Sequence, residues 1–166
     1  MNSGTVRRSH QGLVSLPTQA MNALTIQRIH NSDPLFQQVW NLREQVLRLP
    51  LGLTLKGEDL SEEVHEDIIV ALHDQKVIGC VHLRKLLEDR FKLRQMAIEP
   101  KFQGTGAGKI LIQQAELLAK EKGIKCIELH ARLEAVPFYL KCGYQVSGNV
   151  FMEVGIPHLL MEKHLR

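Results

Sequence analysis

The sequence is poor in the features that mark several classes of protein. It contains 3 cysteines in 166 residues, and no two of them form a C-x-x-C pair. An odd, scattered set of this kind is typical of reduced thiols and argues against a disulfide framework or a zinc site. No apolar run approaches the roughly 18 residues that a membrane span requires. We therefore expect no metal, no disulfide and no membrane partner.

A strong charge of one sign is also missing. The net charge is +3 at pH 7, which is too small to indicate a nucleic-acid partner. Apolar residues make up 44% and charged residues 23% of the chain, as in ordinary globular domains. A chain of 166 residues forms one such domain but is short for two. These properties predict a single cytoplasmic domain.

Residues 1–21 lack apolar periodicity, and no acidic residue occurs before Asp33. A secretory signal needs a continuous apolar core, which this segment does not have. An arginine-bearing, acid-free start is compatible with an organellar transit peptide. The preferred interpretation is a disordered leader, or an upstream start codon with Met21 as the natural beginning. We expect the folded domain to span residues 22–166.

The spacing of apolar residues predicts a mixed order of strands and helices. The predicted strands are 24–30, 67–72, 76–86, 90–98, 124–131, 144–147 and 151–162. The predicted helices run from a cap at Ser32 or Asp33 to just before Pro50, from 107 to 122, and through a short segment around Tyr139. Gly155 and Pro157 inside the last strand suggest a bulge. This order is typical of an α/β single domain with a mixed, mostly antiparallel sheet and helices on both faces.

Three alternating glycines stand where the strand 90–98 passes into the helix 107–122. Gly104, Gly106 and Gly108 have no Cβ atoms, so a phosphate can come close to the backbone. A turn of this kind directs several N–H groups and the positive end of the helix dipole at one point. The segment therefore predicts an anion cradle for a phosphorylated cofactor.

Two familiar phosphate loops do not fit this segment. A Walker loop requires glycine at 103 and serine or threonine at 110, but the chain has Gln103 and Ile110. The dinucleotide fingerprint requires a third glycine at the position of Lys109. A nucleotide-binding switch or a nicotinamide enzyme is therefore disfavoured.

A different pattern does fit, and it resembles a known family. Gln103, Gly106 and Gly108 match [QR]-x-x-G-x-[GA], and residues 135–144 match A-x-x-F-Y-x-x-x-G-[FY]. With both motifs the chain resembles the GNAT superfamily of N-acetyltransferases over residues 22–166. Residues 153–158 also resemble the E-x-G-I-P-H segment of a subgroup of small bacterial acetyltransferases. The resemblance implies the acyl-CoA N-acyltransferase fold.

The resemblance further implies acetyl-CoA as the co-substrate, with no metal. The loop would hold the diphosphate, and pantetheine would lie between strands 90–98 and 124–131. The residues implied in cofactor binding are Met96, Ile98, Gln103, Gly104, Thr105, Gly106, Ala107, Gly108 and Lys109. The family often has an asparagine where this chain has Arg132, which puts that one pantetheine contact in doubt.

The chemistry needs an acid and a base. Tyr139 is the candidate general acid, because the resembled family carries a tyrosine toward the thioester sulfur here. Glu128 or His130, which share one face of their strand, is the candidate base. Each of these three residues could instead have an ordinary structural role. Glu99 is a further candidate for the base. Cys142 offers a nucleophilic alternative, although a packing role suits it better.

The acceptor site is suggested by Arg43, Glu153 and His158. Arg43 lies in a helix that often borders the acceptor pocket of the resembled family, with an exposed structural arginine as the alternative. Glu153 or His158 would contact the acceptor if the bulge aims them at it. The predicted function is transfer of acetyl from acetyl-CoA to a primary amine of a small molecule, by direct attack in a ternary complex. A non-catalytic CoA-binding sensor or scaffold is the alternative, and a homodimer is possible in either case.

Overall fold

The computed structural model describes residues 24–166, so the predicted leader over residues 1–21 lies outside the described residues. The helices are α1 (Phe36–Arg43), α2 (Ala107–Glu121) and α3 (Val136–Lys141). The strands are β1 (Thr25–Ile29), β2 (Asp67–His73), β3 (Lys76–Leu87), β4 (Arg90–Ile98), β5 (Cys126–Arg132), β6 (Gln145–Val146), β7 (Phe151–Glu153) and β8 (Ile156–His164). None of the helices in residues 24–166 is long and apolar enough to cross a membrane.

The strands form one sheet in the order β1-β2-β3-β4-β5-β8-β6, and β7 pairs with β8. Among the strands of the described residues only the β4–β5 pair is parallel, with α2 as its crossover connection. The helices cover both faces, because α1 packs on a cluster with Ile68 and Val70 while α2 packs on Ile69 and Ala71. The predicted fold class is confirmed.

The helix α2 follows its predicted apolar stripe. Leu111, Ala115 and Leu118 are buried against the sheet, and Lys109 and Lys120 lie on the exposed side. The helix α1 also begins near its predicted cap, where Asp33 Oδ1 accepts a hydrogen bond from the N–H of Leu35 at 2.9 Å. Its last turns depart from a regular α-helix, since Glu44–Arg48 form a π-helical turn and Leu49–Leu51 a 3-10 turn. A further 3-10 turn, Ser61–His65, interrupts the connection to β2.

The last predicted strand is wrong, because residues 151–162 are two strands and contain no bulge. β7 and β8 form a hairpin in which Glu153 pairs with Ile156. Val154 and Gly155 make the turn with φ angles of 47° and 76°. A two-residue hairpin turn of this kind needs positive φ at both positions, and its usual signal is Asn-Gly or Asp-Gly. Because Val154 occupies the first position, the sequence lacks this usual signal.

The strands β4 and β5 part midway along their length. They pair from Arg90 with Cys126 to Leu93 with Leu129, and their pairing ends there. Next to this point β4 has a bulge, because two residues, Gln95 and Met96, oppose the single residue Val81 of β3. Gln95 adopts a φ of 54°, a conformation that is uncommon for residues other than glycine. The result is a wedge-shaped opening in the middle of the sheet.

A buried ion pair links α1 to this opening. Arg43 has no exposed surface, and its guanidinium donates two hydrogen bonds to Glu63 at 3.0 and 2.8 Å. Its Nε donates a third to Oε1 of Gln95 at 3.2 Å. The prediction of an exposed structural arginine is therefore wrong. Arg43 instead fastens α1 and the turn 61–65 to the bulge of β4.

We predict that Arg43→Met strongly destabilises the protein. The variant leaves the Glu63 carboxylate buried without its counter-charge, which typically costs about 3–5 kcal/mol. Urea unfolding followed by circular dichroism measures the change. The control is Lys85→Met, which removes an exposed ion pair with Glu88 and should cost at most ~1 kcal/mol. A loss below about 1 kcal/mol for Arg43→Met would contradict the structural role of this pair.

Candidate active site

A cavity of about 880 Å³ occupies the opening between β4 and β5. One end is lined by the glycine loop and α3, and the other by the π-helical turn after α1 and by the β7–β8 hairpin. The lining includes eleven of the predicted site residues: Met96, Ile98, Gln103, Gly104, Gly106, Gly108, Lys109, His130, Tyr139, Glu153 and His158. The structure thus brings the two sequence motifs and the hairpin to one site.

The glycine loop presents unused backbone donors to this cavity. None of the N–H groups of residues 104–109 donates a hydrogen bond to another of the described residues. Gly104 and Gly106 have φ angles of 75° and 90°, which suit glycine, and a Cβ on Gly104 would meet no atom within 4 Å. Free amides at the start of α2 favour an anion. The loop therefore fits the diphosphate of a coenzyme.

Neighbouring contacts hold the loop in this form. The side-chain amide of Gln103 donates to the carbonyl of Ile98 at 3.0 Å, and the Thr105 hydroxyl donates to the carbonyl of Phe102. A Cβ on Gly108 would lie 3.2 Å from the ring of Phe138, so this glycine allows α2 and α3 to approach closely. Thr105 and the buried Ala107 do not line the cavity. Their part is to shape the loop.

Tyr139 reaches the cavity from α3. Only 7% of the residue is exposed, and its ring packs edge-on against Phe138 and Tyr144 at centroid distances of 5.0 and 6.0 Å. Burial, with a smaller contribution from Cys142, raises the pKa of the phenol well above its ordinary value. The hydroxyl therefore keeps its proton at neutral pH and is available as a donor.

A cluster of two histidines and a glutamate lies at the other end. His130 Nδ1 is 3.0 Å from Oε1 of Glu153, and His158 Nε2 is 3.7 Å from Oε2 of the same carboxylate. The His130 ring also packs edge-on against Phe151 at 4.9 Å. The other nitrogen of His158, Nδ1, donates to the carbonyl of Ile156 at 2.9 Å. The β7–β8 hairpin makes this cluster possible, because it carries Glu153 over β5.

The carboxylate of Glu153 is held in its charged form. Burial alone would raise the pKa of Glu153, but the hydrogen bond with His130 and the charges of His130, Lys92 and His158 outweigh it and lower the pKa below its ordinary value. A charged carboxylate on Nδ1 favours a proton on that nitrogen. Nε2 of His130 is then the ring nitrogen that can accept a proton.

Other predicted residues do not line the cavity. Glu128 lies 3.5 Å from Arg90, outside the lining, and Arg43 is fully occupied by Glu63 and Gln95. Glu99 lies between Lys76 and Lys101 at 3.8 and 3.6 Å. Cys142 is outside the lining as well, and burial raises the pKa of its thiol, which disfavours a nucleophilic thiolate.

Several lining residues carry charge that the sequence analysis missed. Lys92 and Arg94 come from β4, and Arg48 and Glu58, which pair at 2.6 Å, come from the segment after α1. Arg132 donates to the carbonyl of Leu47 at 3.0 Å. Along β4 the charged residues 90, 92 and 94 alternate with the buried Phe91 and Leu93. This alternation was the available signal, because a strand with one apolar face places its charges together on the other.

Comparison with known proteins places this geometry in a family. Residues 54–165 match the family model described as an acetyltransferase (GNAT) domain. The chain belongs to the GNAT acetyltransferase family. Acetyl transfer is therefore the general activity of the domain, and the resemblance predicted from the glycine loop and Tyr139 is confirmed at the level of the family.

Individual proteins that resemble this acetyltransferase include curated relatives and a solved structure. The uncharacterized protein YyaT of Bacillus subtilis is 37% identical over 97 residues, which cover 58% of this chain and 65% of YyaT. The uncharacterized N-acetyltransferase YjcF of the same organism is 29% identical over 81% of this chain and 96% of its own length. A GNAT acetyltransferase of Elizabethkingia anophelis, whose crystal structure has acetyl-CoA bound, shares the fold with a TM-score of 0.68. It is 19% identical and covers 87% of this chain and 99% of its own.

We predict that the pKa of Glu153 depends on His130. In the unchanged acetyltransferase the pKa lies below the ordinary value, and in His130→Leu it rises because the hydrogen bond is lost while burial continues. A carbon-13 NMR titration of the Glu153 carboxyl measures both values. His164→Leu, which alters an exposed histidine on β8 outside the cavity lining, serves as the control. An unchanged pKa in His130→Leu would contradict the pairing.

Proposed function

We propose that this protein is an N-acetyltransferase that moves the acetyl group of acetyl-CoA to a primary amine of a small molecule. One observation carries the proposal: a single cavity joins the unbonded amides of the glycine loop, at Gly104, Gly106, Gly108 and Lys109, to Tyr139 and to the Glu153–His130 pair. A phosphate cradle, a proton donor and a proton acceptor are the groups that acetyl transfer to an amine requires.

The cofactor end of the cavity would hold coenzyme A through its phosphates. The amides of residues 104–109 would donate to the diphosphate, and Lys109 adds a positive charge beside them. The edge of β4 beyond Leu93 has no strand partner on the β5 side. The backbone N–H and carbonyl of Met96 and the N–H of Ile98, whose carbonyl already accepts from Gln103, would pair with the amides of pantetheine. One N–H would stabilise negative charge on the thioester oxygen.

The acceptor end would carry out the proton transfers. Acetyl-CoA supplies an acetyl group activated as a thioester. His130, oriented by Glu153, would accept a proton from the substrate ammonium, directly or through a water molecule. The freed amine nitrogen would then attack the carbonyl carbon, a C–N bond would form and the C–S bond would break. Tyr139 would donate its proton to the departing sulfur. The nitrogen, positively charged after the attack, would lose its second proton to solvent as the amide forms, and solvent would restore the proton of Tyr139.

This assignment bears on two choices that the sequence analysis left open: the identity of the base, and direct attack as against a covalent thiol intermediate. Of the candidate bases, His130 is favoured over Glu128 and Glu99, because only His130 lines the cavity and pairs with a second site residue. Direct attack is favoured over a thiol intermediate, because Cys142 lies outside the lining. Nothing in the described residues favours the non-catalytic sensor, since the site retains both a buried tyrosine donor and an oriented histidine.

The proposed cofactor site is tested by reversing one charge. We predict that Lys109→Glu weakens acetyl-CoA binding about tenfold or more, because it places a carboxylate beside the diphosphate. Isothermal titration calorimetry measures the dissociation constant. Lys120→Glu makes the same change on the same helix, outside the cavity lining, and should leave binding within about twofold. Equal effects of the two variants would contradict the placement of the phosphates at this loop.

The proposed proton transfers are tested by two conservative variants. We predict that Tyr139→Phe and His130→Gln each lower kcat about 100-fold, the usual contribution of one acid or base. A screen of primary amines for free-thiol release first identifies an acceptor for the assay. Initial velocities should show a sequential pattern, since a ping-pong pattern would indicate a covalent enzyme intermediate.

The matched control is Tyr144→Phe, because Tyr144 is also buried and does not line the cavity. Its rate should stay within about twofold of the unchanged protein, whereas a catalytic donor contributes 100-fold or more. A general-acid role for Tyr139 is excluded if Tyr139→Phe and Tyr144→Phe retain similar activity.

A further inference from the structure

The floor of the acceptor end holds a lysine with no counter-charge in contact. Lys92 lines the cavity from β4, and among residues 24–166 no carboxylate oxygen lies within 4.0 Å of its ammonium nitrogen. Its nearest candidates are engaged elsewhere, since Glu128 pairs with Arg90 and Glu153 with His130. A partly buried ammonium in this position lacks the direct partner that such groups usually have.

Arg94 lies two residues along the same face, and its charge is only partly compensated. Arg94 donates to Oε1 of Glu66, and Arg84 contacts the same oxygen at 2.6 Å. His82 Nδ1 occupies the other oxygen of Glu66 at 2.9 Å. One carboxylate therefore serves two guanidinium groups. Lys92 adds a third positive side chain to this part of the sheet, and the carboxylates of Glu128 and Glu153 influence it only from beyond 4.0 Å.

The positive charges of Lys92 and Arg94 lie where a ligand can contact them. Lys92 and Arg94 line the same cavity as His130 and Glu153, and 18% of the Arg94 side chain is exposed. Within the described part of the chain the guanidinium of Arg94 donates to Glu66 alone, so it has donors to spare. An anion that entered the cavity would complete the pairing of Lys92 and use the free donors of Arg94.

We infer that the acceptor of this enzyme is an amine that also carries an anionic group, a carboxylate or a phosphate, and that Lys92 and Arg94 bind this group. The inference rests on the proposed function. The amine would lie toward His130 and the anionic group toward β4, which describes amino acids and small aminoalkyl phosphates. Neutral amines of the same size would leave Lys92 unpaired.

The inference is tested with matched pairs of acceptors. Glycine and β-alanine are compared with glycinamide and β-alaninamide, and phosphoethanolamine is compared with ethanolamine. The readout is acetyl-CoA-dependent thiol release, with product confirmed by mass spectrometry. We expect at least one anionic acceptor to exceed its neutral partner about tenfold or more in kcat/KM. The carboxylate and phosphate pairs distinguish the two sources of charge.

Variants of Lys92 then test the residue itself. Lys92→Gln should raise KM for the anionic acceptor about tenfold and change its kcat little, while Lys92→Arg should retain most of the discrimination. Lys85→Gln, an exposed lysine on β3 outside the cavity lining, should have no effect.

Three results would overturn the inference. One is a preference for neutral acceptors, or no acetylation of any anionic acceptor by a protein that binds acetyl-CoA. Another is an equal loss of activity toward both members of a pair in Lys92→Gln, which would make Lys92 a general catalytic group. A protein that does not bind acetyl-CoA fails at the proposed function itself, and the inference falls with it. Calorimetry with acetyl-CoA alone separates that failure from the others.

Discussion

The parting of β4 and β5 is the constraint on which the rest of the structure depends. Within residues 24–166 the two parallel strands stop pairing after four residue pairs, which leaves backbone groups of β4 without a strand partner inside the sheet. Such groups are costly unless a ligand or water satisfies them, so the opening is itself a signature of binding. The glycine loop follows directly from the end of β4, and α3 follows from the end of β5. Both therefore meet at the opening.

Buried ionic contacts hold the opening in its shape. The bulge at Gln95 holds a non-glycine residue at positive φ, which costs energy that the surroundings must supply. Arg43 binds the side chain of Gln95, and the thiol of Cys80 donates to its carbonyl at 3.4 Å. Glu63 in turn fixes Arg43. The same face of β4 continues as Arg94 and Lys92, so the contacts that secure the bulge also shape the floor of the acceptor end.

Local sequence spacing was enough to predict which residues of the glycine loop and α3 line the cavity, but not how the residues at its other end come together. The loop around Gly106 and the helix of Tyr139 are each short continuous segments, so their residues identify themselves. Glu153 and His130 were each singled out, but their contact depends on a hairpin whose turn is hidden by Val154. Arg43 could not be placed, because the partner that buries it is 20 residues away in an irregular turn. Lys92 could not be singled out from the sequence, because its importance depends on the charged residues that other strands and turns place around it.

The most direct test of the account is the thermal midpoint of the protein with millimolar acetyl-CoA, and with ATP and NAD as controls. A ligand at one hundred times its Kd adds about 2.7 kcal/mol to the free energy of unfolding. The account predicts a clear rise with acetyl-CoA and none with the two nucleotides, because the proposed site takes pantetheine in the opening between β4 and β5 as well as phosphate at the glycine loop, and neither nucleotide has a pantetheine arm. No rise with acetyl-CoA, or an equal rise with ATP or NAD, would contradict it.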